Sequence, residues 1–323
     1  MNRISARVDI IAVALEPIHH GAGTSGNTQI LRTQDIVLPD GRTARVPFIS
    51  GNSLKHMVRE AGANFALDAM SVKNGSLTKP VTDLLFSGGA LTKAGGSINL
   101  ERGRKIEELF PLLGLLGYSA GNTMTQGKLR VNNLHLICEE NAWRVPERLS
   151  NHKALTARAG RLRGEEFGTR HESSRRPRVA KMLTTGERKR LEDLTQQEGK
   201  GDTAQMIYEF QVLNPGSSFW GTMHLDDVTE MELAAFKSAM SAACEGAAPD
   251  GGLLFRVGAK SSIGCGLVSM HFGGQVRDPV KAPGFTESTA LVAIDQPSDI
   301  KAYADHLLKN SEEIVMVLTE AMA

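Results

Sequence analysis

Cysteine is scarce in this chain of 323 residues: Cys138, Cys244 and Cys265 stand far apart, with no C-x-x-C pair and no histidine at metal-ligand spacing. That excludes a disulfide framework and a zinc ligand set, and points to a reducing compartment. Aromatic residues make up only 5%, so few rings are spare once a core is filled. No apolar run approaches the roughly 18 residues of a membrane span. The early stretch "DIIAVALE" is short and bracketed by Asp9 and Glu16, which does not fit a signal peptide. These absences lead to the expectation of a soluble, cytoplasmic protein that needs no cofactor, metal or membrane.

Two further absences are local. No acid occurs between His19 and Gln34, and from Arg148 to Arg190 thirteen Lys/Arg face only four Glu. That segment carries +9 in a chain whose net charge is +1. Such a split suggests one region meant for a polyanion and a body kept soluble by acids.

What is present is a core. Hydrophobic residues make up 41%, enough for one elaborate domain or two ordinary ones. Residues 4–15 read as a strand, and "VLPDGRTARVPF" as a hairpin turning at Asp40-Gly41. A helix starts near Ser50–Ser53, with Leu54, Met57, Val58, Ala61 and Phe65 on one face. Residues 71–127 are rich in Gly, Ser, Thr and Lys and read as an irregular insertion, with a short helix broken at Pro111. "GKLRVNNLHLIC" reads as a strand, and the basic segment 148–204 buries little by itself.

After it, "MIYEFQVLNPGSSFWGTMHL" reads as paired strands around an Asn214–Ser217 turn. A second helix follows, with Thr229 as its N-cap. A glycine loop, a last strand and a helical C-terminus close the chain. The order matches a ferredoxin-like (RRM-like) α+β fold, an antiparallel sheet with helices on one face and large insertions.

Each motif has a plain alternative. "GAKSSIGCG" is not a phosphate-binding P-loop, because Lys260 precedes the last glycines. It is either a turn or a loop of small residues, with Lys260, Ser261 and Ser262, that approaches a backbone closely. His19 and His20 could serve acid–base chemistry or a structural role, and as neighbours in an extended segment they point opposite ways, so at most one could face a given site. The helix start at Ser50–Lys55 holds an anion or only its own cap. Tyr208, Phe210, Phe219 and Trp220 could stack bases, although alternating strand aromatics usually fill cores. The basic run is arginine-rich, which suits phosphate oxygens better than a solvated surface requires.

Taken in order, "LEPIHHGAG", "RVPFISGNSLKHMVRE" and "VGAKSSIGCGLVSM" resemble the RAMP superfamily of CRISPR proteins. Within it, "ELFPLLGLLGYSAGNTMTQGKLRVNNLHL" is similar to the Cas-seven-type backbone subunit, and "GNTQILRTQ" to its type IV version. The resemblance implies a palm, fingers and thumb. Residues 1–147 would open the palm, with the insertion at 71–127. Residues 148–205 would form the basic thumb, and 206–323 would complete the palm and add the C-terminal helix.

It also implies partners: CRISPR guide RNA, complementary target nucleic acid, copies of the chain in a helical filament, and other effector subunits. RNA would meet His19, His20, Gly21, Gly23, Asn27, Gln29 and Arg32 in the first loop. It would meet Ser50, Gly51, Asn52, Ser53, Lys55, His56 and Arg59 at the helix start. In the thumb it would meet Arg158, Arg161, Arg163, Arg170, Arg175, Arg176 and Arg178, and in the last glycine loop Lys260, Ser261 and Ser262. Family members that cut RNA carry an aspartate in the first loop. Here Thr28 and Gln29 stand there and the next acid is Asp35, so a non-catalytic scaffold is expected. The rival expectation is a metal-independent endoribonuclease using a loop histidine.

Overall fold

The computed structural model describes residues 3–90, 99–121, 123–171, 182, 184–187, 189, 205–277, 284–294 and 296–322. Its strands are β1 (Arg3–Ala14), β2 (Gly21–Ser25), β3 (Thr28–Leu31), β4 (Thr33–Val37), β5 (Thr43–Ile49), β6 (Gly117–Ala120), β7 (Thr123–Gln126) and β8 (Leu129–Val131). They continue with β9 (Leu134–Leu136), β10 (Arg163–His171), β11 (Gln205–Leu213), β12 (Ser218–Thr229), β13 (Gly246–Ala247), β14 (Leu253–Arg256), β15 (Leu267–Arg277) and β16 (Phe285–Glu287). The helices are α1 (Gly51–Ala69), α2 (Lys79–Ser87), α3 (Leu100–Leu109), α4 (Pro111–Leu116), α5 (Glu230–Ala243), α6 (Thr289–Val292), α7 (Pro297–Lys309) and α8 (Ser311–Met322). None is long and apolar enough to cross a membrane.

β1 is the spine. It alternates small and branched residues, and Ala6, Val8, Ile10, Ala12 and Ala14 are all buried toward the helices. It pairs antiparallel with β12 on one side and β15 on the other. The main sheet runs β13-β14-β15-β1-β12-β9-β5-β4, with β8 also on β12. Its central part, last strand beside first and first beside third, is the ferredoxin-like order that the sequence implies. The Asp40-Gly41 hairpin forms as expected between β4 and β5.

α1 and α5 pack side by side on one face. α1 buries Leu54, Val58, Gly62, Ala63 and Ala66. α7 lies against α5, where Lys237 is 3% exposed and its Nζ pairs with Asp299 at 2.6 Å. The other face of the sheet is partly covered. Residues 139–162 form successive 3-10 turns across it, packing Leu149 on Trp220 and Ile137 and pairing Arg148 with the buried Asp9 at 2.9 Å. The surface on which an RRM stacks bases is therefore occupied there by the chain itself, and Trp220 and Phe219 are core residues.

Two sequence expectations are corrected. The described parts of 71–127 are more regular than expected: besides the helix broken at Pro111 they hold α2, α3 and the β6–β7 hairpin, and α2, α3 and α4 supply Leu84, Leu85, Ile106 and Leu112 to the main core, with Phe110 between α3 and α4. Pro111 does break the helix, as the first residue of α4. β11 and β12 flank the Asn214–Ser217 turn but do not pair; β11 belongs to a separate four-stranded sheet, β10-β11-β3-β2. The turn lets the chain leave one sheet and enter the other.

Candidate nucleic-acid interface

The loop after β1 is a junction. Ile18 exchanges backbone hydrogen bonds with Leu213 at 2.9 and 2.8 Å, the Ala259 N–H donates to the His19 carbonyl at 2.8 Å, and the Arg32 N–H to the His20 carbonyl at 2.7 Å. These bonds tie the first loop to the arm strand β11, to the last glycine loop and to the start of β4. A Cβ on Gly258 would lie 2.6 Å from the His19 carbonyl oxygen, and its φ is +81°. Glycine is required at that crossing for both reasons.

The two histidines, expected against RNA, have their rings engaged inside the protein. His19 is 3% exposed; its Nδ1–H donates to the Gln211 carbonyl at 2.7 Å, and its ring meets Phe210 edge-on. His20 is buried, and its Nε2 accepts the Ser50 N–H at 3.1 Å. An accepting nitrogen must be unprotonated. Burial first, then Arg32 and His19, push the His20 pKa down to about 4, which keeps it so.

That bond fixes the start of α1. Ser50 is the N-cap, its Oγ accepting from the Ser53 N–H at 3.3 Å, and the Gly51 N–H donates to Asn133 Oδ1 at 2.9 Å. A Cβ on Gly51 would collide with the Val131 carbonyl oxygen, so α1 begins tight against the β8–β9 connection. Most amides of this first turn therefore have partners inside the protein. Positive side chains, more than bare N–H groups, are what the helix start offers an anion.

Those side chains divide. Lys55 is half-buried with no carboxylate partner among the described residues, and burial, then Arg59, hold its pKa below the usual lysine range. His56 is exposed and lies 3.7 Å from Glu60. Arg59 turns inward. It is 8% exposed, its Nη2 donates to the Gly117 and Leu116 carbonyls at 2.8 and 3.3 Å, and burial lowers its pKa. Expected against RNA, it instead holds the end of α4. It shares the buried side of α1 with Gly62, Ala63 and Ala66.

The β2–β3 hairpin projects beside this junction. Gly21, Gly23, Asn27 and Gln29 lie on it, with residues 22–27 exposed. Arg32 is exposed just beyond it. The first acid in spatial contact is Glu209 of β11, whose Oε2 accepts from the Thr28 hydroxyl at 2.8 Å. Asp35 is an exposed hairpin residue paired with Arg45 at 3.1 Å. Among the described residues no three His, Cys, Asp or Glu stand together as a metal cage.

In the glycine loop, Ser261 and Ser262 are exposed, and Lys260 lies over the Tyr208 and Phe210 rings of β11. Tyr208 and Phe210, weighed in the sequence as possible base-stacking residues, lie beside this loop, while Asn133 and Gln211 are neighbours that sequence reasoning did not assign. The arginine set is dispersed. Arg158 pairs with Glu139 at 3.2 Å, Arg161 is exposed, and Arg163 donates to the Arg45 carbonyl at 2.7 Å. Arg170 lies on β10, and Arg175, Arg176 and Arg178 lie outside the described residues.

The RAMP superfamily model matches residues 12–269. This chain belongs to the RAMP superfamily. The matched span contains the first two motifs whole and the third up to Ser269. No curated protein matches the chain. A chain of a solved structure titled "Type IV-B CRISPR Complex" is similar in fold, with a TM-score of 0.56 at 18% identity over 91% of this RAMP chain and 98% of that one. Csc2 of Thermofilum pendens aligns over 98% of this chain and 81% of its own, at 14% identity and a TM-score of 0.38.

Proposed function

We propose that this RAMP protein is a non-catalytic backbone subunit whose copies line up along a CRISPR guide RNA, in a ribonucleoprotein with other effector subunits that surveys for complementary nucleic acid. The observation that carries the reading is the meeting of three distant motifs at one junction. His19 bonds the glycine loop, His20 bonds the start of α1, and the exposed hairpin projects beside both. Around that junction Arg32, Lys55 and Lys260 have no carboxylate within ion-pair distance among the described residues. Unpaired cations beside an acid-free glycine hairpin suit a sugar-phosphate backbone, which brings its own charge. The fold likeness to a chain of a type IV CRISPR complex is consistent with such an assembly.

The rival endoribonuclease reading loses support. His19 spends its Nδ1 proton on a carbonyl, and His20 is a neutral acceptor committed to α1. Acid–base work needs a group that reaches the substrate and titrates near working pH.

Single-stranded RNA binding measured by anisotropy across a salt series tests the proposal. The expected log–log slope is about −0.7 per phosphate contacted, and Lys55→Gln should flatten it by about 0.7. RNA of uniform length should copurify from cells carrying a CRISPR array. Absence of any RNA in that preparation, or a slope indifferent to Lys55→Gln, counts against the assignment. Cleavage of RNA abolished by His20→Ala would favour the rival.

A further inference from the structure

Lys260 has a backbone that lysine rarely adopts. Its φ is +67°, the left-handed region where a side chain is strained and glycine is not. Its carbonyl accepts from the Ile263 and Cys265 N–H groups at 3.1 and 3.3 Å. Glycine would close that turn with less strain, so the turn does not explain the lysine. The side chain has another place to be. Its Nζ lies 4.3 Å from the Phe210 ring centroid and 4.8 Å from that of Tyr208.

The two rings form a short ladder. Tyr208 and Phe210 stack with centroids 6.2 Å apart, and His19 closes the far side edge-on at 5.6 Å. Phe210 is buried, whereas Tyr208 keeps open surface. The Tyr208 ring lies over Gly168 of β10, where any Cβ would collide with it. A flat ring, bedded on glycine and capped by an ammonium, borders the exposed β2–β3 hairpin through the β11–β3 pairing of Phe210 with Gln29. The ring cap has no anion in it, and a cation over a ring is held less firmly than one on a phosphate.

We propose that Lys260 and Tyr208 form a base-and-phosphate subsite. The ammonium leaves the rings for a phosphate oxygen, and the Tyr208 face it uncovers takes an unpaired base. The inference rests on the RNA-binding reading and adds a stacking residue to it. Lysine is kept at a strained position because the same side chain guards the ring when RNA is absent and grips the backbone when it is present.

The full-length chain tests this with single-stranded RNA carrying 2-aminopurine. Lys260→Gly should melt no lower than the wild type, because strain is relieved, and should flatten the salt slope by about 0.7. Tyr208→Leu should keep the slope and weaken binding about tenfold. Tyr208→Phe should bind like the wild type, and 2-aminopurine emission should be quenched by it and by the wild type but not by Tyr208→Leu. Wild-type binding with no quenching at any base position, or full affinity in a folded Tyr208→Leu, overturns the subsite and leaves the parent reading standing. Failure of the wild type to bind RNA overturns both.

Discussion

Two long helices, α1 and α5, cross the same sheet face from equivalent places in the fold, and they begin differently. α5 opens with a reciprocal cap: the Thr229 Oγ1 accepts from the Glu232 N–H at 3.1 Å, and the Glu232 carboxylate accepts from the Thr229 N–H at 2.8 Å. Glu230 adds a second acid to that first turn. This is what helix electrostatics favours, with negative charge at the positive end. α1 has no acid in its first turn. It takes a histidine nitrogen, a serine and an asparagine for its amides and puts Lys55 one turn in. One start carries its own negative charge, while the other leaves Lys55 without a carboxylate partner among the described residues. The contrast separates a helix start closed by its own acids from one that has none and carries a lysine instead.

Exchanging the first helical residues should break the comparison most severely. Gly51→Glu places side-chain atoms into the Val131 carbonyl, a backbone clash expected to destabilise by about 3 kcal/mol or more. Glu230→Gly, at an exposed position, should cost about 1 kcal/mol or less. Urea unfolding of both variants checks this, and equal losses would show that the two starts are not differently constrained.

Acid provides the next largest effect. His20 titrates near pH 4 when folded and near 6.5 when unfolded. In that window the unfolded chain binds the extra proton, so stability is full above about pH 6.5 and falls as the pH drops toward 4. His135, whose pKa burial and then Arg144 also lower to about 4, adds a similar share. Each contributes up to about 3 kcal/mol. Comparing unfolding at pH 7 and pH 4.5 should find that His20→Gln has lost roughly half of this pH dependence. An unchanged pH dependence would mean that His20 is not held neutral at the start of α1.

The smallest effect sharpens the contrast. Ser50→Ala and Thr229→Ala should each cost about 1 kcal/mol, but only Ser50→Ala should also weaken RNA binding. Equal RNA affinities in the two variants would sever the link between the α1 start and the ligand.

Much of this was legible in the residues. The Asp40-Gly41 hairpin, the Thr229 cap and the stripe of α1 carry strong local signals, and the strand–helix order limited the fold to a ferredoxin-like core. Within 71–127 the helix broken at Pro111 was legible, but its extent and α2 were hidden for a physical reason. α4, "PLLGLL", is buried on every side and so has no polar face to give it a period. α2 has only Val81, Leu84 and Leu85 to mark its inner face. The site was half legible. Its three motifs could be found, but not that His19 and His20 would serve as the fasteners between them.

The sequence by itself determined the local choices: where helices cap, where the chain turns, which strand face is apolar, and which loop is free of acid. These depend on neighbours a few residues apart, so periodicity and turn chemistry reveal them. Only the tertiary structure decided that Arg59 points inward, that β11 leaves its turn partner for a second sheet, and that Lys260 covers Tyr208 and Phe210. Those outcomes depend on which distant groups offer a carbonyl, an edge or a ring, and contacts across some fifty or more residues leave no period in the chain.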